Sequence, residues 1–289
     1  MSKLKLLAVF LGLVRMGLAQ DLNSNLVNIN GHQIHYYQTG DKGSPIILLT
    51  GYATTSNFWN KQFISCLAKN HRVYLFDYQG INTDSKSDIS KLSIKSMAHD
   101  VNTLSRSLQL KNPQLLGWSM GGAIALEASF QLPKQYERLV LLAPALPTEG
   151  KVKLTQPMPE HAPFKSDNDV LNYVLNNNLY DYNSDKLDGY KSQFIQSKLE
   201  QIFPDKPVRE AQAKAIREWT TNPSVSAQFK IATTPAVFYL PEKDTIINQK
   251  FALPIAEEYT SGTIIQVKNS GHAVSWEIPE GLCKSIDEK

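Results

Sequence analysis

A serine, an aspartate and a histidine, in that order along the chain, carry the chemistry this sequence can do. Ser119 stands at the centre of Gly117-Trp-Ser-Met-Gly121. A Gly-x-Ser-x-Gly run lets a chain turn sharply from a strand into a helix and leaves the serine side chain standing at the turn. A serine hydroxyl is a poor nucleophile at neutral pH, so it needs a base to take its proton, and the base needs an acid to orient it. His272, in Asn269-Ser-Gly-His272, is the candidate base, and Asp244, in Pro241-Glu-Lys-Asp244, the candidate acid. Glu242, two residues away, is the rival acid. His32, His35, His71, His99 and His161 lie outside the position expected of the base. A developing oxyanion also needs donors. The backbone N–H of Met120, just after the serine, and that of Tyr52, in Thr50-Gly51-Tyr52, are the candidates. Such a set performs acyl transfer through a covalent serine intermediate, with no metal or cofactor required.

These residues are useful only if strand ends bring them together. The apolar runs Pro45–Leu49, Arg72–Phe76, Pro113–Leu116, Arg138–Ala143, Pro235–Leu240 and Thr263–Val267 read as strands. Between several of them lie helical stripes, the clearest over Ser93–Leu108, and Gly122–Phe130 is small and apolar at helical spacing. Strands alternating with helices predict a mostly parallel sheet covered on both faces. Leu26–Gln38 reads as a hairpin turning at Asn30-Gly31. The alternation breaks after Pro144. A polar, helical stretch over about residues 146–222, clearest at Arg209–Trp219, reads as a cap inserted over the strand ends, where open parallel sheets bind ligands. Ser119, Asp244 and His272 each fall just past a strand end. Trp118 and Trp276 read equally well as pocket lining or as core.

The chain has 289 residues with 42% hydrophobic and 20% charged residues, an ordinary globular composition. Residues 1–19 read as a secretory leader: Lys3 and Lys5, an apolar run over Leu6–Val14 too short to span a bilayer, and small residues near Ala19. Arg15 interrupts that run, and a retained N-terminal anchor or a cytoplasmic chain is the alternative. The leader holds Lys3, Lys5 and Arg15 and no acid, which accounts for the whole net charge of +3. The remaining chain, residues 20–289, is balanced, which argues against nucleic acid or an anionic membrane as a partner and against stable membrane insertion. A small molecule is the expected partner, and export to the periplasm or medium the expected location. Cys66 and Cys283 are the two cysteines. They read as small apolar residues on separate helices, with pairing the alternative, and neither has zinc-ligand spacing.

Over about residues 26–289 the chain resembles the α/β-hydrolase superfamily, in its capped single-domain branch of esterases, prolyl iminopeptidases and carbon–carbon bond hydrolases. The resemblance rests on Gly117-Trp-Ser-Met-Gly121, Asp244, Gly271-His272 and Phe58-Trp59. It implies eight strands and hydrolase activity, a carboxylic ester being the first expectation. The alternatives keep the serine, histidine and aspartate but change the bond, as in an aminopeptidase, a carbon–carbon hydrolase or a cofactor-free peroxidase or perhydrolase. A non-catalytic binding module is the reading from another class. Two loops depart from the family pattern: Thr50-Gly51 stands for the usual His-Gly, and Asn82 stands where a glycine is usual in the loop from Asp77. Both bear on substrate choice more than on mechanism.

Overall fold

In the central strands, successive residues are buried on opposite faces of one sheet. In the computed structural model, which describes residues 22–29, 31–81, 88–150, 165–195 and 202–288, Ile47, Leu49, Leu115, Leu139, Leu141, Phe238 and Leu240 pack into one apolar layer. Ile46, Leu48, Leu116, Val140, Leu142, Val237 and Tyr239 pack into the other. Burial on both faces is why these segments read as unbroken apolar runs rather than as an alternation.

The sheet has eight strands in the order β1-β2-β4-β3-β5-β6-β7-β8. They are β1 (Asn23–Ile29), β2 (His32–Thr39), β3 (Pro45–Leu49), β4 (Arg72–Phe76), β5 (Gln114–Trp118), β6 (Leu139–Leu142), β7 (Ala236–Pro241) and β8 (Gly262–Val267). From β4 onward through the order every pair is parallel, and the hairpin β1–β2 joins the edge antiparallel. Gly31, in the hairpin turn, sits at φ +86°, a conformation a glycine reaches without strain; Asn30 lies outside the described residues.

Helices cover both faces. The layer that holds Ile47 and Leu115 is closed by α2 (Ile94–Ser107) and α3 (Met120–Gln131), through Met97, Val101 and Ile124. The opposite layer is closed by α1 (Lys61–Leu67), through Phe63 and Leu67. Asn60 caps α1, its side-chain oxygen accepting from the N–H groups of Gln62 and Phe63. Ser93 and Ser96 form a reciprocal cap at the start of α2. Between β6 and β7 the described chain is helical, with α4 (Asp167–Asn178), α5 (Leu187–Lys191), α6 (Lys206–Thr220) and α7 (Pro223–Ile231). Then α8 (Gln249–Ala256) follows β7, and α9 (Val274–Glu277) and α10 (Pro279–Asp287) follow β8. Among the described residues, no helix is long and apolar enough to cross a membrane. The leader pattern at residues 1–19 and the Asn82 position both lie outside the described residues.

One expectation is corrected. Cys66 and Cys283 do sit on separate helices, α1 and α10, but they are joined by a disulfide with their Cα atoms 6.1 Å apart. The reason is the packing of those two helices side by side on one face of the sheet, where Leu67, Leu282, Cys283 and Ile286 share an apolar layer. The bond closes a separation of 217 residues, so it restricts the unfolded chain strongly. Replacing both cysteines by serine is expected to lower the unfolding free energy by about 2–4 kcal/mol. Urea unfolding of the oxidised wild type, the reduced wild type and the double variant checks this; three coincident curves would contradict it.

Candidate active site

The turn from β5 into α3 places Ser119 at φ 55° and ψ −117°, a conformation rare for a residue with a Cβ. Backbone bonds hold it there. The Ser119 N–H donates to the Leu142 carbonyl at 3.0 Å, and the Ser119 carbonyl accepts from Gly122 and Ala145 at 2.9 Å each. The flanking glycines serve close packing. A Cβ on Gly117 would lie 2.3 Å from the Gly121 oxygen, and one on Gly121 would lie 2.1 Å from the Leu49 oxygen. The pentapeptide thus presses the start of α3 against β3 and β5, so that Ser119 is turned toward the strand ends.

Asp244 follows β7 and His272 follows β8. The Nδ1 of His272 lies 2.8 Å from Oδ2 of Asp244, both side chains almost wholly buried. A carboxylate at this position only accepts, so this contact suits the tautomer of a neutral His272 with the proton on Nδ1 and the lone pair on Nε2. The other Asp244 oxygen, Oδ1, accepts from the N–H groups of Ile246 and Ile247 at 2.8 Å each. Those bonds fix the carboxylate and satisfy its charge in a buried place. Glu242, the rival acid, is exposed, with an oxygen 4.0 Å from Lys243 Nζ. His71 pairs elsewhere, with Asp287 at 2.9 Å.

The histidine loop is held from three sides. Trp118 Nε1 donates to the His272 carbonyl at 2.9 Å, and the Trp118 ring lies stacked on Phe58. The Ala273 N–H donates to the Asn178 carbonyl at the end of α4, at 2.8 Å. Glu277 accepts from the Gly271 N–H and the Ser270 hydroxyl with one oxygen and from the Tyr180 N–H with the other. Gly271 has no room for a side chain there, since a Cβ would meet the Tyr180 nitrogen at 2.8 Å.

The loop after β3 carries the other oxyanion candidate. The buried Tyr78 hydroxyl donates to the Thr50 carbonyl at 2.9 Å, and Asp77 accepts from the Ser56 N–H at 2.7 Å. Burial pushes the Tyr78 phenol far up, so it stays a donor. Ala53, at φ 56°, donates its N–H to Oε1 of the fully buried Gln212 at 3.0 Å. Among the described residues the Tyr52 and Met120 amides have no hydrogen-bond partner. Just before Tyr52 the loop runs close against the β5–α3 turn, since a Cβ on Gly51 would meet the Trp118 ring at 3.0 Å and the Ser119 Cβ at 3.3 Å.

Tyr52, Ser119, Met120 and His272 line one cavity of about 460 Å³, a size suited to a small organic molecule. Trp118 lines it too, whereas Trp276 packs in the core and donates to the Phe58 carbonyl. The far wall comes from α4 and α6, with Tyr173, Asn177, Ile216 and Arg217. Among the described residues, no group of three or more His, Cys, Asp or Glu side chains is arranged to hold a metal ion. Gln212, Arg217 and Glu277 are absent from the sequence reading. Only Glu277 had a visible signal, its place one turn after a histidine that needs support.

The sequence model of the alpha/beta hydrolase fold family matches residues 44–279, and the chain belongs to that family. It is 24% identical over 275 residues to YugF, an uncharacterized hydrolase of Bacillus subtilis, covering 89% of this chain and 94% of that one. It is 32% identical over 126 residues to a pimeloyl (acyl-carrier protein) methyl ester esterase of Photobacterium profundum, covering 42% of this chain and 46% of the relative. With two other curated relatives the match spans about two fifths of their length, 40% and 41%. Among solved structures, the fold is similar to that of a serine hydrolase involved in carbazole degradation, the CarC enzyme. The TM-score is 0.72 at 18% identity, over 92% of this chain and 98% of the other.

Glu277 gives a direct check on the loop. In Glu277→Gln an amide replaces one acceptor oxygen and sets a donor against the donors it faced. The expected loss is about 1–3 kcal/mol of stability, read by urea unfolding. An unchanged midpoint would show that the clamp contributes nothing.

Proposed function

We propose that the chain is a serine hydrolase that cleaves the carboxylic ester of a small or medium substrate. The observation that carries this reading is the meeting, at one cavity, of a backbone-strained serine and a histidine whose Nδ1 is held by a buried aspartate. Ser119 Oγ attacks the carbonyl carbon while Nε2 of His272 takes its proton. The tetrahedral oxyanion is held by the N–H groups of Tyr52 and Met120. As the carbon–oxygen ester bond breaks, His272 returns the proton to the leaving alkoxide. Water then adds to the acyl-serine, again losing its proton to His272, and the acid departs as Ser119 is re-protonated. Asp244 holds the Nδ1–H tautomer throughout and offsets the charge of the imidazolium.

The ester reading is favoured over an aminopeptidase by the cavity wall. Among the described residues no Asp or Glu lines it, and Asp244 is buried behind His272 with both oxygens engaged, so a substrate amine would find no acid among them. Asp205 and Glu210, at the start of α6, are exposed and outside the wall. Glu200 lies outside the described residues. A binding module would have no need of the strained serine beside the histidine–aspartate pair. The helical stretch 146–222 acts in this reading as a cap that sets which ester enters.

Hydrolysis of p-nitrophenyl acetate and butyrate tests the assignment. Ser119→Ala and His272→Ala are expected to abolish the burst and the steady-state rate, and Asp244→Asn to lower kcat by about three to four orders of magnitude. Full activity in Ser119→Ala would overturn the reading. Export is proposed on two supports, the leader pattern and a disulfide of the kind that persists in oxidising compartments. N-terminal sequencing of protein recovered outside the cytoplasm is expected to begin at Gln20; a retained Met1 would contradict a cleaved leader.

A further inference from the structure

The helix α6 presents a stripe at i, i+4 and i+8, made of Arg209, Ala213 and Arg217. Residues at that spacing share one face. Ala213 and Arg217 line the cavity together with Tyr52 on the opposite wall. Arg209 and Arg217 are near enough to act electrostatically on the Tyr52 hydroxyl, and of the two only Arg217 lines the cavity.

The charges of this helix are unevenly satisfied. Lys206 pairs with Glu210 at 3.6 Å and Lys214 with Glu218 at 3.5 Å, both at i, i+4. Those pairs compensate the two acids of α6. Among the described residues Arg217 has no ion-pair partner. Arg209 donates Nη1 to the Pro204 carbonyl at 3.3 Å, which leaves its charge uncompensated. Glu210 is the one acid that also acts on Tyr52, and Lys206 already offsets it. An arginine presents a planar fork of donors that fits a carboxylate with two parallel hydrogen bonds. The one cavity is therefore lined both by Ser119 and His272 and by an uncompensated cation, Arg217, with Ile216, Ile246 and Ile247 as apolar lining.

We propose that Arg217, supported by Arg209 and the Tyr52 hydroxyl, binds a carboxylate at the far end of the substrate, so that the preferred substrate is a monoester of an aliphatic dicarboxylic acid. This rests on the serine-hydrolase reading above and narrows it to a substrate class. The mono-anion enters with its ester group toward Ser119 and its carboxylate held by Arg217.

The test compares monomethyl esters of the succinate-to-suberate series with methyl esters of the monocarboxylic acids of equal acyl length, such as monomethyl suberate against methyl octanoate. In wild type at low salt, kcat/KM for at least one mono-anionic ester is expected to exceed that of its neutral match fivefold or more. The preference is expected to shrink in 0.5 M NaCl, because Arg217 is exposed to solvent. Arg217→Gln is expected to lower the anionic-to-neutral ratio at least fivefold, chiefly through KM. Lys214→Gln, which removes a positive charge from the same helix away from the cavity, is expected to leave the ratio within twofold. A ratio at or below one across the series, or an unchanged ratio in Arg217→Gln, would overturn the inference while leaving the hydrolase reading intact. If neither ester class is cleaved, it is the hydrolase reading that fails. Calorimetric binding of suberate to Ser119→Ala, with and without Arg217→Gln, then decides the carboxylate site alone: equal affinities refute it, and weaker binding without Arg217 supports it.

Discussion

The left-handed backbone at Ser119 is the constraint on which the rest of the site depends. A non-glycine residue in such a region costs on the order of 1–3 kcal/mol and persists only where its surroundings impose it. Here the surroundings are the parallel sheet itself. The Ser119 N–H is bound to the end of β6, its carbonyl to the first turn of α3 and to Ala145, and Gly117 and Gly121 let α3 press on β3 at distances that exclude a Cβ. The strain is therefore met by the same packing that builds the two-sided core. Any change that loosens α3 from the sheet moves the serine away from the strand ends.

The proposed base and acid are positioned differently. Asp244 and His272 come from loops, and loops need anchoring. Part of that anchoring comes from the sheet, through Trp118 Nε1 to the His272 carbonyl. The rest comes from the helical stretch between β6 and β7, where the end of α4 meets both loops. Asn178 accepts from Ala273, the Tyr180 N–H shares Glu277 with Gly271 and Ser270, and the Thr245 hydroxyl reaches the Asn177 carbonyl at 3.5 Å. The segment that shapes the cavity is thus also tied to the residues that would carry out the reaction. Gln212 extends the same logic to the loop after β3, because α6 holds the Ala53 amide.

Much of this was legible in the chain. Strands buried on both faces leave continuous apolar runs, so β3 to β7 were placed within a residue or two. The order of serine, aspartate and histidine past three strand ends indicated which side chains would converge, and the His272–Asp244 bond is the geometry that order implies. What escaped the sequence has a common cause. Gln212 reaches the Ala53 N–H and Glu277 the Tyr180 N–H, both far away in the chain, and a side chain reaching a distant backbone group leaves little local pattern; Arg217 lines the cavity only once α6 has folded against it. The pairing of Cys66 with Cys283 failed to show for the same reason, since it follows from α1 lying beside α10 and not from spacing. The short helices α4 and α5 are polar and carry little periodicity, so only α6 stood out in that stretch.

The central claim is that Ser119 is a nucleophile made reactive by His272. Treatment of the full chain with a fluorophosphonate, followed by peptide mapping, tests it most directly. One phosphonyl adduct per chain is expected, at Ser119, on the peptide holding Gly117-Trp-Ser-Met-Gly121. The adduct should be lost in Ser119→Ala and formed far more slowly in His272→Ala. An adduct on another residue, or equal labelling of the wild type and Ser119→Ala, would contradict the claim.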